Sequence, residues 1–260
     1  MRPGSFHNRQ RCYTAGKLTT AVCVLLLVLA SLSFASAETL RAPEKLVYDL
    51  TWTGIKAGTA SLELISEANT VKMVSTARSA DWVSVFYTVE DRAESTVSKT
   101  ASSLELGHPI KYRLRVREGR HRKDKEVVFD HNAGKARYVD HLKNEKKDFD
   151  IPGTIFDPIS SFYYLRSVKL VVGEPVYVMI FDSEKVWNVE VRVLRKEKVT
   201  VPIGVFDTVV VKPLMKSEGI FNRKGEILIW LTDDARHLPV KLRTKVAVGS
   251  VTATLVRADH

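Results

Sequence analysis

Apolar and polar residues alternate along most of this chain, and the alternation predicts β-strands. In Lys45–Thr53, for example, Leu46, Tyr48, Leu50 and Trp52 occupy every second position. A period of two is the signature of a strand with one face in a core and the other in water. Segments of this kind recur at spacings near ten residues, which gives roughly thirteen strands.

Short turns rich in glycine, proline and charged residues separate these segments. Three of the predicted turns are Gly54–Gly58, Gly107–Pro109 and Glu118–Asp124. The predicted strands are Lys45–Thr53, Thr59–Ile65, Val71–Ser79, Val89–Lys99, Lys111–Arg117 with Leu104–Leu106 leading into it, Val127–Phe129, Ala136–His141, Lys146–Phe149, Glu174–Phe181, Lys185–Glu197, Val205–Met215, Glu226–Leu231, Pro239–Val248 and Val251–Val256.

One stretch near the middle of the chain, Thr154–Gly173, predicts a helix. Asp157 can accept hydrogen bonds from the free amides of a first turn, and Pro158 suits the first helical position. An aromatic face of about three turns follows at spacings of three and four; its members are Ile159, Phe162, Tyr163 and, as a further candidate, Arg166. The stretch Asp81–Tyr87 is ambiguous, because its pattern fits either a short helical turn or a bulged strand.

These elements predict a mainly β protein of antiparallel strands, forming a curved half-barrel or a sandwich with one central helix. Regular short strands without intervening helices argue against a parallel α/β sheet. No long linker, low-complexity tract or internal repeat divides the chain. We therefore expect a single β-rich domain at 38–260.

The first 37 residues have the pattern of a secretory signal peptide. A basic head containing Arg2 and Lys17 precedes the apolar run from Leu18 to Phe34, and Ala35–Ala37 matches a small-x-small cleavage site. An uncleaved N-terminal anchor is the alternative, because the run is near the short limit of spanning length, about 17 residues. The pattern predicts export.

The cysteine content and the net charge indicate the cellular compartment of the protein and the kinds of partner it suits. Both cysteines, Cys12 and Cys23, lie in the predicted signal peptide, so the mature chain has no disulfide and no thiolate. A cysteine-free exported chain favours a bacterial periplasm, within the cell envelope. The formal charge is +10; removal of 1–37, which holds four basic residues and no acids, leaves about +6. This charge suits anionic partners such as lipid phosphates, although it also serves solubility.

Five segments carry a resemblance to a known family. They are Tyr48–Gly58, Phe156–Arg166, Pro202–Phe206, Ile229–Asp234 and Leu238–Val240. Together they resemble, in order along nearly the whole mature chain, a bacterial exported family catalogued as domain of unknown function number 3108. The resemblance implies an exported β-rich envelope domain and supplies no catalytic residues. The late strands are also similar to those of envelope lipoprotein carriers, in which a curved half-barrel encloses an apolar cavity.

Catalytic and metal-binding patterns are weak in this sequence. His121, His131 and His141 recur every ten residues, which fits successive polar turns better than a metal site, and no histidine has a zinc-ligand spacing. Asp233 and Asp234, close to His237, form the densest titratable cluster, but a polar turn explains them equally. We therefore predict no enzyme activity, no cofactor and no metal.

A basic stripe is the strongest surface feature. It consists of Lys111, Arg113, Arg115, Arg117, Arg120 and Arg122. Guanidinium groups suit phosphate and carboxylate oxygens, so the stripe is a candidate for contact with an anionic membrane surface. The alternatives are a solvated strand face or a charged edge strand that discourages pairing. Export makes nucleic acid an improbable partner.

Aromatic side chains supply the candidates for an apolar ligand cavity. They are Trp52, Trp82, Phe86, Phe162, Tyr163, Trp187 and Trp230. In a curved sheet some of them would line the concave face beneath the helix, although an ordinary packed core uses the same residue types. The leading interpretation is a non-enzymatic envelope module for a lipid-like or amphiphilic ligand. A structural or assembly protein that contacts other envelope proteins, and an unrecognised hydrolase, are the alternatives.

Overall fold

The computed structural model describes residue 40 and residues 42–99, 106–182, 184–214, 226–246 and 248–259. The predicted signal peptide lies outside the described residues and stays a prediction, as does the domain boundary at 38. Within the described ranges, no helix is both long and apolar enough to cross a membrane.

The described residues form fourteen strands and two helices. The strands are β1 Glu44–Trp52, β2 Ile55–Ser66, β3 Thr70–Ser79, β4 Glu90–Lys99, β5 Leu106–Glu118, β6 His121–Asp130, β7 Lys135–Asp140, β8 Glu145–Asp150, β9 Val176–Asp182, β10 Lys185–Val201, β11 Gly204–Leu214, β12 Ile227–Thr232, β13 Pro239–Lys245 and β14 Ser250–Asp259. The helices are α1 Asp81–Ser84 and α2 Pro158–Ser167.

All fourteen strands belong to one antiparallel sheet. Its order is β8-β7-β6-β5-β4-β3-β2-β1-β14-β13-β12-β11-β10-β9. Strands β1 to β8 follow one another as hairpins, and so do β9 to β14, while β1 pairs with β14 in the middle of the sheet. The predicted mainly antiparallel β fold is confirmed, in the form of a single sheet rather than a two-sheet sandwich.

The two edge strands of this sheet approach each other, so the sheet is strongly curved. Phe149 of β8 packs against Phe181 of β9 with ring centroids 5.4 Å apart. Lys147 of β8 pairs with Glu184, in the β9–β10 turn, at 2.7 Å. Residues from β5 to β8 share one buried apolar cluster with Phe181. Curvature of this degree turns one face of the sheet into an enclosed core.

Side-chain alternation assigns one face of each strand to that core. In β5, Tyr112 and Leu114 are buried, whereas Arg113 and Arg115 lie on the other face. A one-residue shift in register would exchange the two sets, so the apolar pattern fixes the pairing. The predicted alternation at these positions is confirmed.

Three of the predicted turns have different bounds in the structure. Gly107–Pro109 lies inside β5, and the hairpin at 118–124 has a tip of only two residues, Gly119 and Arg120. The predicted turn Gly54–Gly58 is shorter as well, because Thr53 and Gly54 make the reversal with positive φ angles of 48° and 93°. Two residues with positive φ match the twist of a hairpin. These charged and glycine-containing segments have the composition of loops, but they belong to paired strands, and the pairing of β5 with β4 shifts register near Pro109.

The central helix forms as predicted. Asp157 is the N-cap, and its carboxylate accepts from the amides of Ile159 and Ser160 while the Ser160 hydroxyl accepts from the Asp157 amide. Pro158 occupies the first helical position. The ambiguous stretch at 81–87 begins with the four-residue helix α1, whose N-cap is Ala80.

A buried ion pair attaches the end of α2 to the sheet. Arg166 is fully buried, and its Nη1 and Nη2 donate to the two carboxylate oxygens of Glu44 at 2.8 Å each. The guanidinium also lies 5.1 Å from the centroid of the Tyr163 ring. Burial alone would lower the pKa of Arg166, but the hydrogen bonds and charge of Glu44 raise it above its ordinary value. The guanidinium of Arg166 is therefore held in its charged form.

We expect replacement of one partner of this pair to be strongly destabilising. Glu44→Leu leaves the guanidinium buried without its counter-charge and should cost about 3–5 kcal/mol in the free energy of unfolding. The double variant Glu44→Leu/Arg166→Met removes both charges and should lose less than the single variant. Urea denaturation of the two variants checks this.

The control is an exposed pair of the same type. Arg192 and Glu190 are bonded at 2.7 Å on the surface of β10, and Glu190→Leu should cost at most about 1 kcal/mol. Equal losses for Glu44→Leu and Glu190→Leu would contradict the anchoring role of the buried pair.

Candidate functional site

An apolar cavity of about 230 Å³ lies between α2 and the inner face of the sheet. It is partly open to the outside. The residues that line it are Leu62, Ser75, Pro158, Ile159, Ser161, Phe162, Leu165, Val178, Ile180, Val189, Val191, Pro213, Ile227, Ile229 and Leu242.

Helix and strand periodicity together explain this lining. Ile159, Phe162 and Leu165 recur at spacings of three along α2 and so share one helix face. On the sheet, Val189 and Val191 are alternate residues of β10 and point to the same side. The cavity thus lies where the helix stands off the concave face instead of packing against it throughout.

The lining consists almost entirely of carbon. Among the described residues that line it, none has a charged side chain, and Ser75 and Ser161 are the polar ones. The Ser161 hydroxyl donates to the carbonyl of Pro158 within the helix, at 3.0 Å. Such a surface offers apolar contact and very little acid–base chemistry.

Asp157 anchors the N-terminal end of α2 and is fully buried. Besides capping the helix, its carboxylate accepts from the hydroxyl of Ser95, in β4, at 2.6 Å and from that of Ser160 at 2.8 Å. Burial raises the pKa of Asp157, because the four hydrogen bonds that lower it only partly offset the loss of hydration. The helix is thereby fixed to the sheet at both ends, on either side of the cavity lining.

We expect this raised pKa to be visible in the pH dependence of stability. A folded-state pKa above the unfolded value of about 3.9 means that the folded protein binds the proton more tightly. Stability due to Asp157 should therefore be greatest below that pH and fall as pH rises through the folded pKa. In urea denaturation, the stability of the wild type relative to Asp157→Asn should decline from acid to neutral pH. A constant or rising difference would contradict the assignment.

The predicted aromatic residues do not all meet at this cavity. Phe162 lines it. Tyr163 is fully buried in a cluster with Met73 and Val97, against which Ile159 and Phe162 also pack, and it is not part of the cavity lining. Trp187 and Trp230 pack in the core beside other strands, and their indole N–H groups donate to the Asp182 carbonyl and to the Glu197 carboxylate.

Three more of the predicted aromatics lie at the surface. Trp52 and Trp82 are exposed and donate their indole N–H groups to the carbonyls of Val248 and Lys56, at 2.8 and 3.0 Å. Phe86 is 85% exposed. The sequence pattern does not distinguish these exposed residues from core residues, because aromatic character alone does not indicate which side of a curved sheet a residue occupies.

The basic stripe lies on the outer face and is largely paired with acids. Arg113 donates to Asp124 at 2.9 Å and to Glu126 at 2.7 Å, and its Nη1 lies 2.8 Å from Nε2 of His141. The remaining stripe pairs on this face are Lys111 with Glu126 at 3.1 Å, Arg115 with Glu94 at 3.8 Å and Arg117 with Glu90 at 3.3 Å. β5 has hydrogen-bonded neighbours on both sides, so the edge-strand alternative is wrong.

A second cavity, of about 320 Å³, lies on this outer face and is mainly polar. Its lining is Lys72, Glu94, Thr96, Lys111, Arg113, Arg115 and Glu126. Since the acids already neutralise part of the positive charge, the stripe is better described as an ion-pair ladder across β3 to β6 than as a uniform basic surface. Arg120 and Arg122 lie beyond it, at the β5–β6 tip, where Arg122 donates to the carbonyls of Gly119 and His121.

We expect Glu94 to stabilise the ladder only while it is ionised. A hydrogen bond from Arg92, together with Lys72, lowers the pKa of Glu94 to about 2. Its contribution should be complete above the unfolded value of about 4.3 and disappear as pH falls toward 2. Urea denaturation of Glu94→Gln should show a small deficit at pH 6, about 1 kcal/mol or less after solvent screening, and none near pH 2. A deficit that grows on acidification would contradict this.

The acidic cluster singled out in the sequence, Asp233 and Asp234 close to His237, lies at the β12–β13 turn. The described residues hold no group of three or more histidine, cysteine or acidic side chains placed to share a metal ion. Asp234 accepts from Thr232 and Arg236 within its own turn, and the ring of His237 lies 2.9 Å from the Arg166 carbonyl. These contacts stabilise the β12–β13 turn and the end of α2.

The sequence analysis predicted aromatic cavity residues and did not identify most of the residues that line the cavity. Val178, Val189, Ile229 and Leu242 are aliphatic residues at inward positions of ordinary strands. Their alternation indicated burial correctly, but burial against a packed neighbour and burial beside a cavity have the same pattern. Only the position of α2 distinguishes the two.

The curved antiparallel sheet and its anchored helix define a β-rich protein class, and the sequence comparison identifies the family. The model of the family described as Protein of unknown function (DUF3108) matches residues 47–256. The chain belongs to this family. No curated protein matches it.

Two crystal structures resemble the fold at low sequence identity. One is a beta-barrel-like protein of domain of unknown function DUF1849 from Brucella abortus, with 15% identity, 84% of this chain and 97% of that chain covered, and a TM-score of 0.49. The other is a protein of YmcC-like fold from Bacteroides fragilis that is described as exported, with 11% identity, coverage of 85% and 97%, and a TM-score of 0.33.

Proposed function

We propose that this protein is a non-enzymatic binding module of the bacterial cell envelope that holds a lipid-like or amphiphilic ligand in the apolar cavity under α2. The observation that carries the proposal is the lining itself, which combines side chains of the helix with those of both halves of the sheet and includes no charged group. Apolar lining of a partly open cavity favours an apolar guest over water.

The volume of the apolar cavity limits the size of the ligand that it can hold. At about 230 Å³, the cavity exceeds the roughly 150 Å³ that accepts a benzene molecule, and is below the roughly 300 Å³ at which pockets for drug-sized ligands begin. It therefore suits one acyl chain or a small ring system and not a whole two-chain lipid. Since the cavity is partly open, a polar headgroup can stay in water while the chain is buried.

The polar groups around the cavity support binding more than catalysis. Asp157 is saturated by the cap and by two serine hydroxyls, and Arg166 is held by Glu44. General acid–base catalysis needs a titratable group within hydrogen-bond reach of the substrate, and these two are engaged in holding the helix. A rigid helix over an apolar surface is a binding arrangement.

Mass spectrometry of organic extracts tests the proposal. The protein should be isolated, without detergent, from the cells that produce it. A stoichiometric lipid or other amphiphile is the expected result. A clean extract would instead favour the alternative role in the assembly of envelope proteins, and co-purification should then give a protein partner.

We expect a cavity-filling substitution to abolish ligand binding while the fold persists. Ser75 lines the cavity from β3 and is half-buried, so Ser75→Leu adds three carbon atoms to the space that a chain would occupy. Affinity for a fluorescent fatty acid, measured by titration, should fall by roughly tenfold or more, because each excluded methylene loses about 0.8 kcal/mol.

Thr76→Leu is the matched control. Thr76 is the next residue of β3, lies on the opposite face and contacts Ser61 instead of the cavity. It should leave the affinity for the fatty acid unchanged. Equal affinities for Ser75→Leu and the wild type would refute binding in this cavity.

A further inference from the structure

Exposed apolar side chains gather at one end of the sheet, in loops that no part of the apolar cavity uses. We call this set the apolar rim; it consists of Trp52, Ile55, Trp82, Val85, Phe86, Tyr87 and Val248. Phe86 and Val85 are 85% and 77% exposed. Large exposed apolar groups on neighbouring loops are uncommon on a soluble surface and mark a contact site.

Hydrogen bonds join these loops into one surface. The Trp52 indole donates to the Val248 carbonyl, which links the β1–β2 and β13–β14 hairpins. The Trp82 indole donates to the Lys56 carbonyl, and the Ala80 amide donates to Ala57 at 2.7 Å, which links α1 to β2.

The same surface continues to the β5–β6 tip. The Gly119 amide donates to the Thr88 carbonyl at 2.8 Å. Gly119 has a φ of 56°, and a Cβ there would lie 2.7 Å from the ring of Tyr87. Only glycine combines this backbone conformation with so close an aromatic contact. The apolar rim and the charged hairpin tip are therefore held side by side.

Positive charge at the rim is concentrated at the β5–β6 tip. Residues 117–123 include four basic residues, Arg117, Arg120, Arg122 and Lys123, and one acid, Glu118. Two basic residues of the rim are paired, Lys56 with Asp49 at 2.7 Å and Arg117 with Glu90 at 3.3 Å. Arg120 and Arg122 are exposed at the hairpin tip, beyond the ion-pair ladder. Basic side chains beside apolar ones complement the anionic headgroups and the acyl region of a lipid surface.

The hydrogen bonds of the Trp52 and Trp82 indole groups favour a membrane over a protein as the partner of the rim. Their N–H groups already donate to backbone carbonyls, so the rings can leave water without stranding a donor. Tryptophan in this state suits the boundary between headgroups and acyl chains. We propose that the apolar rim docks the protein on an anionic lipid bilayer, with Arg120 and Arg122 on the headgroups and Val85 and Phe86 inserted among them.

This inference does not depend on the proposed ligand cavity, although the two are compatible. Pro213 and Ile227 of the cavity lining stand near the C-terminal end of β11 and the N-terminal end of β12. The antiparallel order places these strand ends on the same side of the sheet as the β1–β2 and β13–β14 hairpins. A docked rim would bring that end of the cavity toward the bilayer.

Co-sedimentation with vesicles tests the docking. The protein, isolated from the cells that produce it, should bind vesicles of phosphatidylcholine with phosphatidylglycerol and bind phosphatidylcholine vesicles at least tenfold more weakly. Val85→Ser/Phe86→Ser should weaken binding roughly tenfold or more through lost apolar contact. Arg120→Gln/Arg122→Gln should weaken it by about fivefold for each charge. All variants keep the same N-terminus, so any contribution of that segment is common to them.

Matched control variants lie elsewhere on the sheet. Ile203→Ser/Val205→Ser removes exposed apolar groups from the β10–β11 turn, at the opposite strand ends. Arg192→Gln/Arg195→Gln removes two exposed charges from β10. Neither should alter vesicle binding. Ser75→Leu should also bind normally, so that failure of the ligand proposal and failure of the docking proposal are distinguishable.

Tryptophan fluorescence gives a direct readout of insertion. Anionic vesicles with brominated acyl chains should quench emission from Trp52 and Trp82, and Trp52→Phe/Trp82→Phe should abolish the quenching while Trp187 and Trp230 still emit. Docking would be overturned by absent binding to anionic vesicles, by equal losses in rim and control variants, or by unquenched emission. A protein captured through the rim without vesicle binding would overturn it as well.

Discussion

The position of α2 depends on two buried polar contacts, one at each end of the helix. Asp157 joins the first turn to Ser95 of β4, and Arg166 joins the last turn to Glu44 of β1. A buried carboxylate and a buried guanidinium are costly to remove from water, and each is tolerable only because its partners are correctly placed. The pairs therefore restrict the helix to one placement more than they add to stability. That placement leaves a gap above the apolar face of the sheet.

The topology of the sheet explains why such anchors are needed. Consecutive hairpins lead outward from the central β1–β14 pair, so β8 and β9 are far apart in strand order although they are successive strands in the chain. The connection between them must cross from one edge to the other, and α2 lies in this crossing. Apolar contact is nondirectional and would allow the helix to slide along a smooth concave face. Directional hydrogen bonds at both ends fix it.

Much of the fold could be predicted from the sequence, and specific physical reasons account for the remainder. Period-two alternation located the strands, and Asp157 followed by Pro158 located α2, because both signals depend on local geometry. The strand through Gly107, which pairs with β4 across two shifts of register, and the early return at Gly119 could not be predicted, because the partner strand determines both. Pairing of Arg166 with Glu44 joins residues 122 positions apart, and no local pattern indicates it.

The candidate site was less predictable than the fold, because aromatic residues of the same class occupy quite different environments. Trp230 in the core, Phe162 at the cavity and Phe86 at the rim belong to one residue class, yet they occupy three environments. Only Phe86 follows a short helix that turns the chain away from the sheet. Glu44, Asp157 and Arg166 are buried and anchor α2, and the buried Asp140 accepts from amides of its own turn. The cavity and the rim, in contrast, are apolar surfaces that the fold leaves open. A ligand of either surface would therefore bind mainly through apolar contact, which is the premise of both proposals.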